Sequence, residues 1–352
     1  MVDWLSSMQQ TFEYYTVDPN TWRDVARINY VKTATINRDA QAETLGSATL
    51  DVDELVGESY IRIYLVTVQN GITQRHPLAT VLAQTPVSNF DGMVRSVSMD
   101  AYTPLIELKE KYPPIGYFIP KGAKVMDWVY DRTRENLRAP VVKPVSNETL
   151  YEDFVAGADE KWLSFNGAAM AKVKYSYGLD ELGQVIFVPN RNIDAMTPIW
   201  TFNDDNSSIL HHSISMDHDL FGIPNVVEVS YSSGTGNLYA RVENNDPSSP
   251  TSIVRRGRAI EDRVADLSVA GDPTQAMIEE YARQRLKELS SVAYTVTYTH
   301  AYCPVRLGDC VRLNYERAGI VNIKGKVISQ SIKCEPGCPV TEKAVFLAKL
   351  WE

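Results

Sequence analysis

Cysteine is scarce: four residues among 352, which excludes a secreted scaffold held by disulfides. Long apolar runs are missing as well. No window of about 18 apolar residues occurs, so no membrane-spanning helix and no membrane anchor are expected. The N-terminus, Met1-Val2-Asp3-Trp4-Leu5-Ser6-Ser7, lacks the basic and apolar segments of a secretory signal, and synthesis in a cytoplasm is expected. Positive charge is in deficit, with 35 Lys and Arg against 44 Asp and Glu, a net charge of −9. Proteins that grip nucleic acid through its phosphates usually carry a basic surface, so sequence-specific nucleic-acid binding is not expected. An acidic surface would suit a protein that has to repel passing DNA.

Catalytic signatures are also absent. There is no G-x-S-x-G elbow, no P-loop, no H-E-x-x-H and no G-x-G-x-x-G opening a helix. Gly234-Thr235-Gly236 falls between two strand patterns, where glycine supplies positive φ.

What is present favours sheet. Hydrophobic residues make up 44% of the chain, enough for each of two to four units to bury a core. Tyr occurs 19 times, Pro 18 and Gly 19. Tyr, with Val, Ile and Thr, fits pleated surfaces, while Pro and Gly punctuate turns. Residues 1–25 read as an N-terminal arm or a first strand pair. Tyr60 to Val68 is a long β-branched run ending on Asn70-Gly71, a strong hairpin signal. Asp91-Gly92 marks a second hairpin. Val125, Val129, Thr133 and Leu137 recur every fourth residue and predict a helix within 119–138. A second helix is expected from Asp159 to Val173, followed by a hairpin from Val173 to Pro189. Asp272, Pro273 and Gln275 have the spacing of a helix start over 272–290. The expected fold class is mainly β with an α+β insert. The expected domains are 1–118, 119–198 and 199–352: two tube-like β-barrel or sandwich blocks flanking a small helix-plus-hairpin domain.

Several polar groups invite a chemical reading. His211, His212 and His218 lie beside Asp217 and Asp219, a candidate metal or acid–base set whose plainer reading is a polar strand edge. Asp204-Asp205 would suit a two-carboxylate hydrolase, and suits a solvated turn better. Arg255-Arg256-Gly257-Arg258 reads as a solvated or interface-pairing basic run. The four cysteines, Cys303, Cys310, Cys334 and Cys338, fall within one short window. If the strands 294–303, 310–315 and 323–333 formed an up-and-down meander, all four sulfurs would reach one edge. Two readings then stand: a structural zinc or iron–sulfur site, or free buried thiols. A reducing cytoplasm disfavours a disulfide.

Three stretches taken in order resemble a known family. The first is Ser98-Met99-Asp100-Ala101-Tyr102-Thr103-Pro104-Leu105, followed by Tyr117-Phe118-Ile119-Pro120-Lys121-Gly122. The second runs from Trp162-Leu163-Ser164-Phe165 to Phe187-Val188-Pro189. The third comprises Gly222-Ile223-Pro224-Asn225-Val226-Val227, Asn245-Asp246-Pro247-Ser248-Ser249-Pro250, the helix ending Ala282 to Leu289, and Arg306-Leu307-Gly308-Asp309-Cys310-Val311. They are turn and core signatures, not catalytic ones. Nearly the whole chain is similar to the tail or baseplate hub proteins of tailed bacteriophages and contractile injection systems, the defective-prophage hubs above all.

The resemblance implies a homotrimer in which each chain offers two tube-like barrels. Three chains would then match a sixfold tail tube on one side and a threefold spike or tip on the other. It implies tail tube, spike, tape-measure and baseplate wedge proteins as partners, and a place in the virion tail after assembly in the host cytoplasm. No cofactor and no catalytic residue are implied. The chain ends soon after a strand, so the cell-wall hydrolase fused to some hubs is expected to lie elsewhere. Two rival readings remain: a peripheral baseplate or receptor module that binds saccharide through exposed aromatics, and a glycosidase using Asp204 or Asp217.

Overall fold

The computed structural model describes residues 2–53, 57–90, 95–205, 208–217, 220, 222–233, 236–265 and 273–349. The Asp91-Gly92 turn, most of the Gly234-Thr235-Gly236 turn, Asp272, His218 and Asp219 lie outside the described residues.

Seven strands come first: β1 (Gln9–Val17), β2 (Asp24–Ile28), β3 (Val31–Asp39), β4 (Gly46–Val52), β5 (Ser59–Gln69), β6 (Ile72–Phe90) and β7 (Arg95–Tyr102). The N-terminal segment thus forms a strand pair that runs on to residue 28, with Tyr14 opposite Ile28. The Asn70-Gly71 turn joins β5 to β6 as the sequence predicts. Both residues take positive φ, 53° and 78°, the geometry whose twist matches a two-residue hairpin. Alternation along the strands builds the core. Ile61, Ile63 and Leu65 on β5 are fully buried with Leu50 on β4 and Met99 on β7. Each large side chain taken out of water in this way contributes about 1.5–3 kcal/mol.

The middle of the chain is helical and short-stranded: α1 (Ile106–Glu110), β8 (Phe118–Ile119), α2 (Val125–Asn136), β9 (Phe154–Val155), α3 (Trp162–Lys172), β10 (Tyr175–Leu179) and β11 (Val185–Pro189). Both expected helices and the expected hairpin are present. Their separate core gathers Leu108, Ile119, Val129, Trp162, Phe165 and Val185. Gly178 on β10 has a packing reason: a Cβ there would meet Val188 Cγ2 at 2.7 Å.

The remainder is β12 (Trp200–Asn203), β13 (Leu210–Asp217), β14 (Val226–Ser233), β15 (Gly236–Glu243), α4 (Ile253–Arg256), β16 (Glu261–Val264), α5 (Gln275–Leu289), β17 (Ser291–Ala301), β18 (Cys310–Tyr315), β19 (Ile320–Lys333) and β20 (Pro339–Lys349). Helix α5 starts two residues later than the sequence suggests. Thr274 is the cap, its hydroxyl accepting the Met277 N–H at 3.3 Å.

Pairing departs from the sequence reading. The largest sheet runs β13-β17-β20-β19-β3-β4-β7-β6-β5-β1-β2, with β18 paired to β19 and β12 paired to β18. Strand β19 therefore serves both ends of the chain: Ile320 to Lys326 pair with β18, and Ser329 to Lys333 pair with Asp39 to Thr35 on β3. Boundaries at 118 and 198 do not describe this arrangement. One compact unit comprises Met1–Ile214 with Thr297–Ala344, and the other Ser215–Val296 with Val345–Glu352. The physical reason is that β18 and β19 hydrogen-bond to the first unit's strands however far away they are in sequence.

The second unit contains a three-stranded sheet, β15-β14-β16, in which β14 and β16 run parallel. One face packs Val227, Val229 and Ala240 against Ile278, Ala282 and Leu286 of α5. On β14 the intervening Glu228 belongs to an ion ladder. It accepts hydrogen bonds from Tyr239, Arg241 and Arg263. These donors, Tyr239 first, hold its carboxyl down at about 2. A carboxylate lowered in the folded state stabilises above its ordinary pKa of 4.5, and that stabilisation is lost as pH falls towards 2. Acid titration followed by circular dichroism should therefore show stability falling between pH 4.5 and 2. Glu228→Gln should flatten that slope, and an unchanged slope would count against the ladder.

Candidate functional site

The four cysteines are all free and buried, but the expected meander does not form. Strand β17 pairs with β13 and β20, while β18 pairs with β12 and β19. Cys303 and Cys310 thus leave strands that are not neighbours. The Cys303 thiol lies 3.8 Å from His300 Nδ1, and Cys310 Sγ faces the Val311 carbonyl. Cys334 and Cys338 belong to the core of β1, β3, β4, β5, β6 and β7. Among the described residues, no group of three or more His, Cys, Asp or Glu side chains is placed to hold a metal ion. The residues present do not make the expected zinc or iron–sulfur site.

The other sequence candidates are dispersed. Asp204 is gripped by the Arg317 guanidinium, with Nε at 2.6 Å. His211 and Asp217 are exposed on β13. Arg256 is not a solvated charge: it donates to the carbonyls of Ile223 and Leu220, each at 2.7 Å, and Gly257 ends α4 in the left-handed conformation.

Sequence reasoning missed two buried polar centres. In the first, Glu342 on β20 is fully buried beside His300 on β17, with His300 Nε2 3.5 Å from Glu342 Oε2. The Tyr298 hydroxyl donates to Glu342 Oε1, and Gln330 Nε2 donates to Oε2 at 2.7 Å. Arg38 from β3 completes the set by donating to Gln330 Oε1 at 3.0 Å. Burial, and then the neighbouring carboxylate, push the Tyr298 phenol far up. Cys303, His300 and Glu342 match a nucleophile–base–acid set in residue type. They are 2%, 0% and 0% exposed, so the set is sealed inside the core. Alternation carries the missed signal, because Val340, Glu342, Ala344 and Phe346 share one buried strand face.

In the second centre, Arg62 on β5 is 4% exposed. It bonds Asp24 Oδ1 at 2.7 Å, Thr80 Oγ1 at 2.9 Å and the carbonyls of Trp22 and Leu182. Tyr64 donates to the other Asp24 oxygen at 2.7 Å. Edge strand β2 is thereby pinned at its first residue. Nearby, a cavity of about 290 Å³ lies between the sheet and the β10–β11 hairpin. Ile36, Leu78, Val81, Ile186 and Val188 make its apolar wall, and Asp180 and Asp309 line it too. Burial raises both carboxyls.

The accessible features are backbone edges. Among the described residues, strands β2 and β13 terminate the main run of the large sheet, and β12 terminates its branch. Edge strands present unpaired N–H and C=O groups that template pairing with another chain. Val25 on β2 and Met216 on β13 are exposed there, 66% and 41%.

No family model and no curated protein matches the sequence. Solved structures match it along almost its full length. The tail protein from Neisseria meningitidis MC58 superposes with a TM-score of 0.62 over 97% of this chain and 97% of its own, at 12% identity. This is a tail-protein fold. The 43 kDa tail protein of prophage MuSo2 from Shewanella oneidensis shares it, with a TM-score of 0.62 over 95% and 98% of the two chains at 10% identity. So does prophage tail protein gp18 from Listeria monocytogenes EGD-e, at 0.50 over 95% and 94% with 11% identity. The tail-protein fold is thus retained at sequence identities too low to carry any residue's role from one protein to another. The resemblance read from turn and core signatures agrees with the fold.

Proposed function

We propose that the chain is a structural protein of a phage or phage-like tail, and that it works as a trimeric hub between a sixfold tube and a threefold spike. The observation that carries this reading is the end-to-end likeness to tail proteins of similar length. The open edges at β2, β12 and β13 support it, because strand pairing between subunits is a direct way to build a ring. Its action is geometric: it matches symmetries, closes the tube end and holds the spike. The proposed partners are tube, spike, tape-measure and wedge proteins. The role asks for neither a cofactor nor a catalytic residue.

Light scattering on the purified chain at several concentrations tests the hub. A stable species near three times 39.5 kDa is the expected result. A strict monomer that stays monomeric with tube and spike proteins added would remove the trimer. A second reading, a peripheral saccharide-binding module, is favoured by the exposed aromatics Tyr112, Phe118 and Tyr151, at 54%, 47% and 92%. A glycan array separates the two, since the hub binds no glycan.

A further inference from the structure

The turn between β19 and β20 reads Cys334-Glu335-Pro336-Gly337-Cys338. The Cys338 N–H donates to the Glu335 carbonyl at 2.8 Å, and the Cys334 N–H is anchored on the Ala34 carbonyl at 2.8 Å. A turn closed in this way holds Glu335 and Cys338 within about 7 Å, and Cys334 directly precedes Glu335. Disulfides span Cα separations of about 4.4–6.8 Å.

The backbone there is strained in a telling direction. Gly337 lies at φ 86° and Cys338 at φ 40°, a region that suits glycine and costs a residue bearing a Cβ. The Cys338 side chain is nevertheless turned inward and is fully buried, as Cys334 nearly is. The three residues between them are exposed. Both thiols sit in one apolar cluster, and both stand near the Tyr14 phenol, which is raised first by burial and then by the two thiols. Cys303 and Cys310 have other neighbours, His300 and the Val311 carbonyl.

We infer that Cys334 and Cys338 are a redox pair that closes the β19–β20 turn with an intramolecular disulfide in an oxidising medium. Two S–H bonds break and one S–S bond forms. The two protons and two electrons released pass to a small-molecule disulfide, whose S–S bond breaks to give two thiols. In a reducing cytoplasm the pair stays open. Burial raises both thiols, Cys338 to about 12. Thiolate is therefore scarce and closure is slow, as befits a one-time lock more than a rapid sensor.

Mass spectrometry reads the chemistry whatever the chain's role in a tail. The folded protein is exposed to oxidised glutathione at pH 8.5, unfolded in N-ethylmaleimide and digested with trypsin. One peptide, Cys334 to Lys343, contains both cysteines. The expected result is that peptide lighter by two hydrogens and free of label, with Cys303 and Cys310 both labelled. Two labels on the peptide, a glutathione adduct, or a bond from either cysteine to Cys303 or Cys310 would each overturn the inference. Cys338→Ser should leave Cys334 labelled after the same treatment.

Discussion

Arg62→Met is expected to destabilise the fold by about 1–3 kcal/mol, because it takes the guanidinium donor away from the buried Thr80 hydroxyl and from the Trp22 and Leu182 carbonyls. The methionine fills much of the volume but donates nothing. Asp24, whose side chain is 30% exposed, keeps the Tyr64 hydroxyl and turns to water. The Trp22 and Leu182 carbonyls lose their guanidinium donor, although Leu182 keeps the Trp22 indole at 2.7 Å. The loss should be local first. Among the described residues strand β2 pairs with β1 alone, so hydrogen exchange in residues 24–28 should accelerate before the global transition. Chemical denaturation measures the total. A loss below about 1 kcal/mol would mean that Arg62 is not the pin that its contacts suggest.

Glu342→Ala is the second large effect, about 2–5 kcal/mol, from the cavity and the unpaired buried donor together. The carboxylate receives the Tyr298 hydroxyl and the Gln330 amide and faces His300. Removing it takes the acceptor from the Tyr298 hydroxyl and leaves the Gln330 amide with the Val305 carbonyl and His300 with the Ala301 carbonyl on its other nitrogen. Glu342→Gln keeps the shape and an acceptor oxygen, and should cost distinctly less. Equal losses for Ala and Gln would show that volume, not hydrogen bonding, governs the site. The pair of variants also bears on Arg38, whose bond to Gln330 ties β3 into the same network.

Local signals were legible in the sequence. Asn70-Gly71 fixed a turn, the fourfold spacing of Val125, Val129 and Thr133 marked α2, and the hairpin after α3 followed from its alternation. Partnership between distant strands was not legible. Nothing near Cys303 or Cys310 states that β17 and β18 lie on different neighbours, so the four-cysteine convergence rested on an assumed meander. Glu342 looks like an ordinary surface charge until Val340 and Ala344, two residues to either side, are recognised as core, and Arg62 does so until Tyr60 is. Arg256 was misread for the opposite reason: its carbonyl partners, Leu220 and Ile223, lie more than thirty positions away. The tail-protein resemblance survived these errors because it depended on the order of turn and core segments, not on any one pairing.

The double service of β19 has a consequence for how the protein is made. Ser331 and Asn37, side by side across β19 and β3, are separated by 294 positions. At about 5–20 residues per second, β3 leaves the ribosome roughly 15–60 s before its partner exists. Throughout that interval its outer edge is bare and the first core lacks Ile332, Cys334 and Val340. The N-terminal strands cannot reach their final state as they emerge, and folding of the first unit must wait for the last fifty residues. A truncation before β19 should therefore disable the whole first unit, and the nascent chain has a long window in which an exposed strand invites a chaperone or a mispaired neighbour.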